Sequence, residues 1–155
     1  ILEMIIGIDP GKSGGIVIIS TSKTSMHKCP SEPTGMASII SSASNSAYIE
    51  GEKIKAVIEK VWAFPTDTRS SSFKFGTNYG MWKGILASYN ITCTEVPPQT
   101  WMKEYQPLPK IKTERKRMLK QIAQDKFPDN KVTLHTSDAA LIALWRLNYN
   151  KGKET

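Results

Sequence analysis

Three acidic residues at separate places in the chain have the sequence surroundings of one metal site. Asp9 and Glu59 each end an apolar, β-branched run, and Asp138 lies near the start of an apolar helical pattern. A carboxylate at a strand end faces out of a packed sheet, where a ligand can reach it. Carboxylate oxygens that converge from separate elements suit Mg²⁺. We therefore predict a Mg²⁺ site that combines Asp9, Glu59 and Asp138.

The segment that follows Asp9 contains Gly11, Gly14 and Gly15. Glycine lets the backbone approach a phosphate or a metal closely, although a tight hairpin turn in which Asp9 caps a backbone amide explains the same residues. The segment is not a Walker A loop, because Ile6 stands where that motif needs its first glycine. It is similar to the phosphate loop of actin-like ATPases and sugar kinases, which need two such domains where this chain has room for one.

The other two acids also have ordinary structural interpretations. Glu59 can be a surface strand end, or it can form an ion pair with Lys60 or Arg69. Asp138 near a helix N-terminus is what the helix dipole favours. His135 lies three residues before Asp138, and helical spacing would put both on one face. Taken alone, His135 can equally be a surface histidine.

Positive charge is concentrated in one stretch of the chain. The 155 residues carry a net charge of +7, and the pI is near 9.4, which favours an anionic partner such as nucleic acid. Eight Lys and Arg residues fall between Lys110 and Lys131, opposed by Glu114, Asp125 and Asp129. Such a patch suits the backbone of a nucleic acid, and a solvated helix face explains it equally well.

Cysteine content and hydropathy bear on the compartment. Cys29 and Cys93 are far apart in the sequence, so free thiols in a reducing compartment are expected. His27 and Cys29 are too few ligands for zinc. We see no apolar run of transmembrane length and no signal peptide. An intracellular protein without a membrane partner is expected, in the cytoplasm of a bacterial or phage-infected cell, or in an organelle if a presequence has been removed.

Alternating strand and helix patterns predict an α/β fold. Residues 4–8 and 15–20 are β-branched runs joined by a Gly-rich turn, which indicates an antiparallel hairpin. Later strands are predicted over residues 54–59 and 91–96, and helices over residues 34–47, 78–90, 114–126 (capped by Thr113) and 137–148. Strands that alternate with helices indicate a partly parallel sheet. One domain is expected over residues 1–149, with a loose tail over residues 150–155.

Two further segments are predicted to be irregular: an exposed polar segment over residues 66–77 and a basic loop over residues 99–112. The first of them carries Phe73 and Phe75. Aromatic side chains that are exposed next to a metal site can stack on unpaired bases or wedge into a branched duplex. Core packing is the alternative for these rings, and for Trp62 it explains the sequence at least as well. The Ser-rich end of the first helix is expected to fray or to form a loop.

Taken in order, these motifs resemble the RuvC-like Holliday junction resolvases, which have the ribonuclease-H-like fold. The resemblance extends from about Met4 to Trp145. It rests on residues 6–11, 58–61, 75–86, 96–103 and 126–128, and on His135 with residues 138–140. The chain is most similar to compact phage-type or bacterial members, and residues 79–86 are also similar to chloroplast resolvases.

The resemblance implies a mixed β-sheet flanked by α-helices and a homodimer with two active sites. It places Asp9, Glu59, His135 and Asp138 in the active site as catalytic and metal-binding residues, with Asp in place of His135 in some members. It implies two Mg²⁺ ions per active site, for which Mn²⁺ can substitute. The expected substrate is branched DNA, above all the four-way junction, cut to leave 5′-phosphate and 3′-hydroxyl ends.

Basic and aromatic side chains near these acids are the candidates for contact with DNA. They are Lys12, Arg69, Phe73, Lys74, Phe75, Lys103, Lys110, Lys112, Arg115 and Lys116. The resulting hypothesis is a Mg²⁺-dependent, structure-selective endonuclease in DNA recombination, repair or replication. Two alternatives stay open: another nuclease of the same fold that cuts flaps or RNA–DNA hybrids, and a non-catalytic module that binds junctions.

Overall fold

Apolar, β-branched runs form the strands of a five-stranded sheet. The computed structural model describes residues 2–152, apart from the side chain of residue 150. The strands are β1 (Leu2–Asp9), β2 (Gly15–Ile19), β3 (Thr24–Lys28), β4 (Glu52–Glu59) and β5 (Thr92–Val96). The helices are α1 (Pro33–Glu50), α2 (Arg69–Ser88), α3 (Pro98–Met102), α4 (Lys112–Lys126) and α5 (Ser137–Lys151), with a 3₁₀ turn at Lys103–Tyr105.

The sheet is mixed and has the order β3-β2-β1-β4-β5. The first three strands pair in antiparallel fashion, which confirms the predicted hairpin, whereas β4 runs parallel to β1 and β5 runs parallel to β4. Parallel neighbours need a crossover connection, and α1 and α2 supply the two crossovers. The predicted α/β class, with a mixed sheet flanked by helices, is confirmed.

Side chains of β1 alternate between two cores, one on each face of the sheet. Met4, Ile6 and Ile8 pack into the core beneath α1 and α2, whereas Ile5 packs into the core beneath α4 and α5. Successive side chains of a strand point to opposite faces. The apolar run is continuous because helices cover both faces. Odd-numbered positions of β1 therefore face α5.

Close packing of α5 on the sheet depends on Gly7. A Cβ added to Gly7 would lie 2.4 Å from the carbonyl oxygen of Ala139 and 2.7 Å from the Cβ of Ala143. Residues 139–143 of α5 are all fully buried. The helix lies across β1, β2 and β4, so its first turn comes close to the ends of the central strands.

The N-terminal half differs from the prediction in two places. The sequence pattern does not predict β3, because Thr24–Lys28 is a half-exposed edge strand without a continuous apolar run. Helix α1 continues through the Ser-rich segment that was expected to fray, since Ala43 and Ala47 extend its buried face. It ends at Gly51, whose φ of +69° is a conformation that suits glycine.

The polar segments after β4 and β5 are more helical than predicted. Most of residues 66–77 form the first turns of α2, because the Thr68 side chain accepts a hydrogen bond from the backbone N of Ser71 at 3.0 Å and caps the helix. The expected basic loop contains α3 and the 3₁₀ turn, since Trp101 anchors them in the core. Thr113 is not a cap, because α4 begins at Lys112 without a side-chain cap.

The C-terminal helix is longer than predicted. It extends to Lys151 and so includes the first part of the predicted tail, of which residues 153–155 lie outside the described residues. Within residues 2–152, no helix is long and apolar enough to cross a membrane.

Candidate active site

Strand register brings two of the predicted acids to the same edge of the sheet. β1 and β4 are parallel, and Ile8 with Ile58 is the last pair of their register, so Asp9 and Glu59 follow side by side. Ile8 and Ile58 both pack into the core beneath α1 and α2. Because side chains alternate along a strand, the next residue of each strand faces α5. Both carboxylates therefore lie on the α5 side of the sheet.

Asp138 reaches the same place from the first turn of α5. Its side chain is buried, with 7% exposed. Asp9, Glu59 and Asp138 line one pocket of about 440 Å³, which also borders α4. We call it the carboxylate pocket. The structure thus brings together the three acids that the sequence analysis combined, and their role in catalysis stays a prediction.

The three acids share one electrostatic environment. Burial raises the pKa of Asp9 well above its usual value, and the charges of Asp138 and Glu59 raise it further. Burial also raises the pKa of Glu59 to about 7, although a hydrogen bond from Trp101 opposes the rise. Burial raises the pKa of Asp138 as well, against the opposing charge of Lys116. Buried carboxylates that repel one another favour an added cation.

The carboxylate pocket supplies oxygen donors of the type that a hard divalent cation prefers. Oδ1 of Asp138 is buried and has no hydrogen-bond partner among the described residues, which is costly for a polar atom. In the described part of the chain, no group of three or more His, Cys, Asp or Glu side chains converges closely enough to hold a metal ion by itself. The pocket offers an incomplete set of oxygen ligands, the kind that leaves coordination positions to water and phosphate.

Trp101 orients one of the carboxylates. Its indole Nε1 donates a hydrogen bond to Oε2 of Glu59 at 2.7 Å. Trp101 is fully buried, and its ring packs edge-on against Tyr105 with the centroids 6.3 Å apart. A rigid donor fixes one oxygen of Glu59 and stabilises the ionised carboxylate.

The Asp9 turn, residues 9–15, is held in place from two sides. Gly11 has a φ of +109°, and a Cβ on Gly14 would lie 1.9 Å from the carbonyl oxygen of Asp9, so the chain doubles back on itself. From α2, Oδ1 of Asn78 accepts a hydrogen bond from the backbone N of Gly11 at 2.8 Å. From the segment after β3, Sγ of Cys29 donates to the carbonyl oxygen of Asp9 at 3.3 Å. These contacts fix the backbone that carries the Asp9 carboxylate.

His135 lies in the turn before α5 and does not line the carboxylate pocket. Its Nδ1 is 2.8 Å from the carbonyl oxygen of Ser13; since a carbonyl only accepts, Nδ1 carries the hydrogen and Nε2 is the free ring nitrogen. The predicted helical relation to Asp138 is not formed, because α5 begins only at Ser137. His135 is instead tied to the Asp9 turn.

Basic side chains from two elements border the acids. The cations that line the carboxylate pocket are Lys12, Lys112, Arg115 and Lys116. Nη1 of Arg115 also donates to the carbonyl oxygens of Pro109 and Lys110, at 3.3 and 2.9 Å, which fixes the segment before α4. Lys103 and Lys110 line an adjoining groove together with Arg115. Positive charge therefore extends from the acids along one side of the pocket.

The predicted DNA-contacting residues of α2 divide between two places. Phe75 lines the carboxylate pocket. Phe73 and Lys74 line a second cavity, to which Phe75 also contributes. Arg69, at the start of α2, lines neither. The alternative interpretation, that these rings fill the core, is wrong for both, because Phe73 is 77% exposed and Phe75 is 50% exposed.

Two further exposed aromatic rings lie in the short segment after Glu59. Trp62 and Phe64 lie between β4 and α2, are 45% and 56% exposed, and have ring centroids 6.0 Å apart. Core packing, which explained Trp62 at the level of sequence, is therefore wrong for that residue. Phe64 was not among the predicted site residues.

The whole fold is similar to that of several solved structures. The chain is similar to Thermus thermophilus RuvC, with a TM-score of 0.65 and 12% identity over 97% of this chain and 96% of that chain. It is similar to T. thermophilus RuvC in complex with a Holliday junction substrate, with a TM-score of 0.63 and 14% identity over the same shares. The chain has the RuvC fold.

The chain is also similar, at a lower TM-score, to the solved structure of the yeast mitochondrial Holliday junction resolvase Ydc2. Its TM-score is 0.50, with 13% identity over 99% of this chain and 82% of that chain. No protein-family model and no curated protein sequence matches this chain. The likeness is one of fold, and it confirms the ribonuclease-H-like architecture that the motifs predicted.

The residues that hold the acids in place were not among the predicted site residues. Trp101, Asn78 and Cys29 each bind Glu59 or the Asp9 turn through a partner at least 20 positions away in the sequence. Only Trp101 had a usable signal, because it follows the end of β5 and therefore lies at the same sheet edge as Glu59.

Proposed function

We propose that this protein is a metal-dependent endonuclease that resolves four-way DNA junctions. The observation that carries the proposal is the carboxylate pocket: three electrostatically coupled acids beside four cations, on a RuvC fold. A pocket that holds both a metal-binding set of oxygens and a cationic border suits a phosphodiester. Of the structures with a similar fold, T. thermophilus RuvC is seen in complex with a Holliday junction substrate, and Ydc2 is a Holliday junction resolvase.

Asp9, Glu59 and Asp138 are the residues that would hold Mg²⁺, two ions per site, with Mn²⁺ as a substitute. When bound, the metal neutralises the scissile phosphate and lowers the pKa of the attacking water. Trp101 keeps Glu59 oriented and favours its ionised form against burial. Because Nδ1 of His135 is bonded to Ser13, Nε2 is the atom that can accept a proton from water or bind metal. Hydrolysis in this arrangement leaves 5′-phosphate and 3′-hydroxyl ends.

The remaining side chains of the proposal bind and shape the DNA. Lys12, Lys112, Arg115 and Lys116 contact phosphates next to the scissile bond, and Lys103 and Lys110 extend that path. Exposed aromatic rings at Trp62, Phe64, Phe73 and Phe75 meet unpaired bases near the branch point. The protein acts in DNA recombination, repair or replication, in whichever compartment holds that DNA.

A homodimer completes the proposed resolvase, since two opposed strands must be cut. The exposed face of α2 supports this arrangement. Gly76, Gly80 and Gly84 repeat at intervals of four residues, and a Cβ added to any of them would meet nothing within 4 Å. A helix without side chains along one stripe permits close approach of a second helix.

The deciding experiment offers the protein a labelled four-way junction, a matched linear duplex and an RNA–DNA hybrid, each with Mg²⁺ and with EDTA. Paired, symmetric, Mg²⁺-dependent nicks in the junction alone are expected. Cutting of the hybrid or of all three substrates would favour the other nuclease function. Junction binding without any cut would leave a non-catalytic binding module.

A further inference from the structure

A cavity of about 630 Å³ lies beside the carboxylate pocket. Its walls come from the Asp9 turn, from the segment that joins β3 to α1, and from the first half of α2. It shares Gly11, Lys12 and Phe75 with the carboxylate pocket. We call it the α2 cavity. Its volume falls in the range of about 300–1,000 Å³ that is usual for sites of small molecules or groups.

The walls of the α2 cavity combine apolar surface with positive charge. Its apolar lining includes Cys29, Pro30, Met81 and the rings of Phe73 and Phe75. Its cations are Lys12, Lys28 and Lys74, and among its residues the structure places no acid. Apolar and aromatic walls favour a flat, uncharged ring, and the cations favour an anion attached to it. A nucleobase with its phosphate has both properties.

Asn78 supplies the α2 cavity with a fixed polar group. Its Oδ1 is held by the backbone N of Gly11 at 2.8 Å, so the orientation of the amide is set and Nδ2 is the remaining donor. Nδ2 makes no hydrogen bond to another described residue, and Asn78 lines the cavity. A fixed amide donor suits a carbonyl oxygen or a ring nitrogen on a base edge.

We propose that the α2 cavity is a binding site for one unpaired nucleobase of the strand that is to be cut. The inference rests on the proposed function, which brings the scissile phosphate into the carboxylate pocket. Lys12 borders both spaces, so it would lie between a phosphate in one and a base in the other. A base leaves its stack at small cost where pairing is already broken, as it is at a branch point.

Asn78 also connects the α2 cavity to the Asp9 turn. The base contacts Nδ2, and Oδ1 of the same amide holds Gly11, two positions after Asp9.

The test begins with binding measurements in EDTA, so that no cleavage intervenes. A junction is prepared with a single abasic site at each nucleotide near the branch in turn. One position is expected to weaken binding by between about 5- and 150-fold, the range for loss of one stacked base. At that position 2-aminopurine should increase in fluorescence when wild-type protein binds, and Phe73→Ala should reduce the increase.

A variant that fills the cavity tests the same site from the protein side. Ser31→Trp adds a large ring at an exposed residue of the α2 cavity, and Ser22→Trp adds the same ring at an exposed residue outside it. The first should abolish the 2-aminopurine signal and weaken junction binding by at least fivefold. The second should change neither. Equal behaviour of the two variants, or a flat abasic scan, would overturn the nucleobase site.

These outcomes are separable from the proposed function. Junction cleavage by wild-type protein together with a flat abasic scan would leave the resolvase in place and remove the nucleobase site. If wild-type protein neither binds nor cuts a junction, the proposed function fails. A titration of single-stranded DNA that contains 2-aminopurine, against wild type and Ser31→Trp, then decides the site on its own: a signal that only wild type gives supports it, and equal signals reject it.

Discussion

Glu59 and Glu95 lie on neighbouring strands, and their surroundings are opposite. Glu59 faces α5, and burial raises its pKa to about 7. Glu95 faces α2, where Nζ of Lys83 lies 2.8 Å away and the hydroxyl of Tyr79 also donates to it. Hydrogen bonds from Lys83 and then Tyr79 lower the pKa of Glu95. In the β4–β5 register, Glu95 pairs with Ile58 and Glu59 pairs with Val96. The two glutamates are therefore one pair apart in the register, and they point to opposite faces of the sheet.

The difference shows what makes a carboxylate a candidate ligand. Glu95 is satisfied by partners from its own chain, and an ion pair this exposed contributes little to stability. Glu59 shares a buried pocket with Asp9 and Asp138, and their mutual repulsion disfavours the ionised state. Perturbed carboxylates cluster at functional sites because function, not folding, needs them there.

Loss of one buried acid should separate cleavage from binding. Asp9→Asn is expected to lower junction cleavage by at least about a hundredfold, because the metal-binding set loses a charged oxygen ligand. Junction binding in EDTA should be retained. Gel-based cleavage and binding assays measure both. Glu95→Gln is the control, and its cleavage rate should stay within about twofold of wild type; retained cutting by Asp9→Asn would remove the carboxylate pocket from the mechanism.

Removing two cations beside the acids should weaken binding without changing its preference for junctions. Lys112→Ala combined with Lys116→Ala is expected to lower affinity for the junction at least about tenfold at ~0.1 M salt. The slope of log affinity against log salt concentration should also become less steep by about 2. Fluorescence anisotropy over a salt series gives both quantities.

A double variant with the same change in charge controls for net charge. Lys23→Ala with Lys53→Ala removes two exposed lysines that do not line the carboxylate pocket. Its affinity and salt slope should stay near those of wild type. Equal losses in the two double variants would mean that overall charge, and not the border of the pocket, drives binding.

The sequence predicted the part of the carboxylate pocket that depends on where the strands end. Asp9 and Glu59 end continuous apolar runs, and such runs mark buried parallel strands whose ends share one edge. The supports were not predictable, because Asn78 and Cys29 act across 67 and 20 positions of sequence. Helix α2 was shortened in the prediction because its first turns bury no apolar stripe: Phe73 and Phe75 are exposed, and a cap at Thr68 starts the helix.

The buried acids should make the metal-free protein less stable as the pH rises. The pKa of Glu59 is about 7 in the folded state and near 4.5 in an unfolded chain. Its neutral form is therefore favoured by folding; this stability is fully present below about pH 4.5 and is lost as the pH rises through about 7. Thermal denaturation in EDTA measures this effect. As the pH rises from about 4.5 to about 8, the Tm of Glu59→Gln should fall less than the Tm of wild type.

Mg²⁺ should reverse that decline, since it binds the ionised acids. The increase in Tm on adding Mg²⁺ is expected to be larger at pH 8 than at pH 5.5 for wild type, and small at both for Asp9→Asn. Glu95→Gln should respond to Mg²⁺ as wild type does. An increase in Tm that is the same at both pH values would show that the metal binds elsewhere.

The smallest expected effect comes from the bond that orients Glu59. Trp101→Phe keeps an aromatic ring in the core and removes the Nε1 donor, which lies 2.7 Å from Oε2 of Glu59. That hydrogen bond lowers the pKa of Glu59 against burial, so its loss should raise the pKa further. A hydrogen bond to a charged group contributes about 1.5–3 kcal/mol, which corresponds to a shift of about 1–2 pH units.

The acidic limb of the pH profile for cleavage should therefore move to higher pH in Trp101→Phe, while the rate at the top of the profile stays within about tenfold of wild type. Tyr105→Phe is the matched control, because it removes a hydroxyl bonded to the Leu141 carbonyl oxygen from the same core without touching Glu59. A profile that shifts equally in both variants would reflect loosened packing around α3, and an unshifted Trp101→Phe profile would mean that ionisation of Glu59 does not limit cleavage.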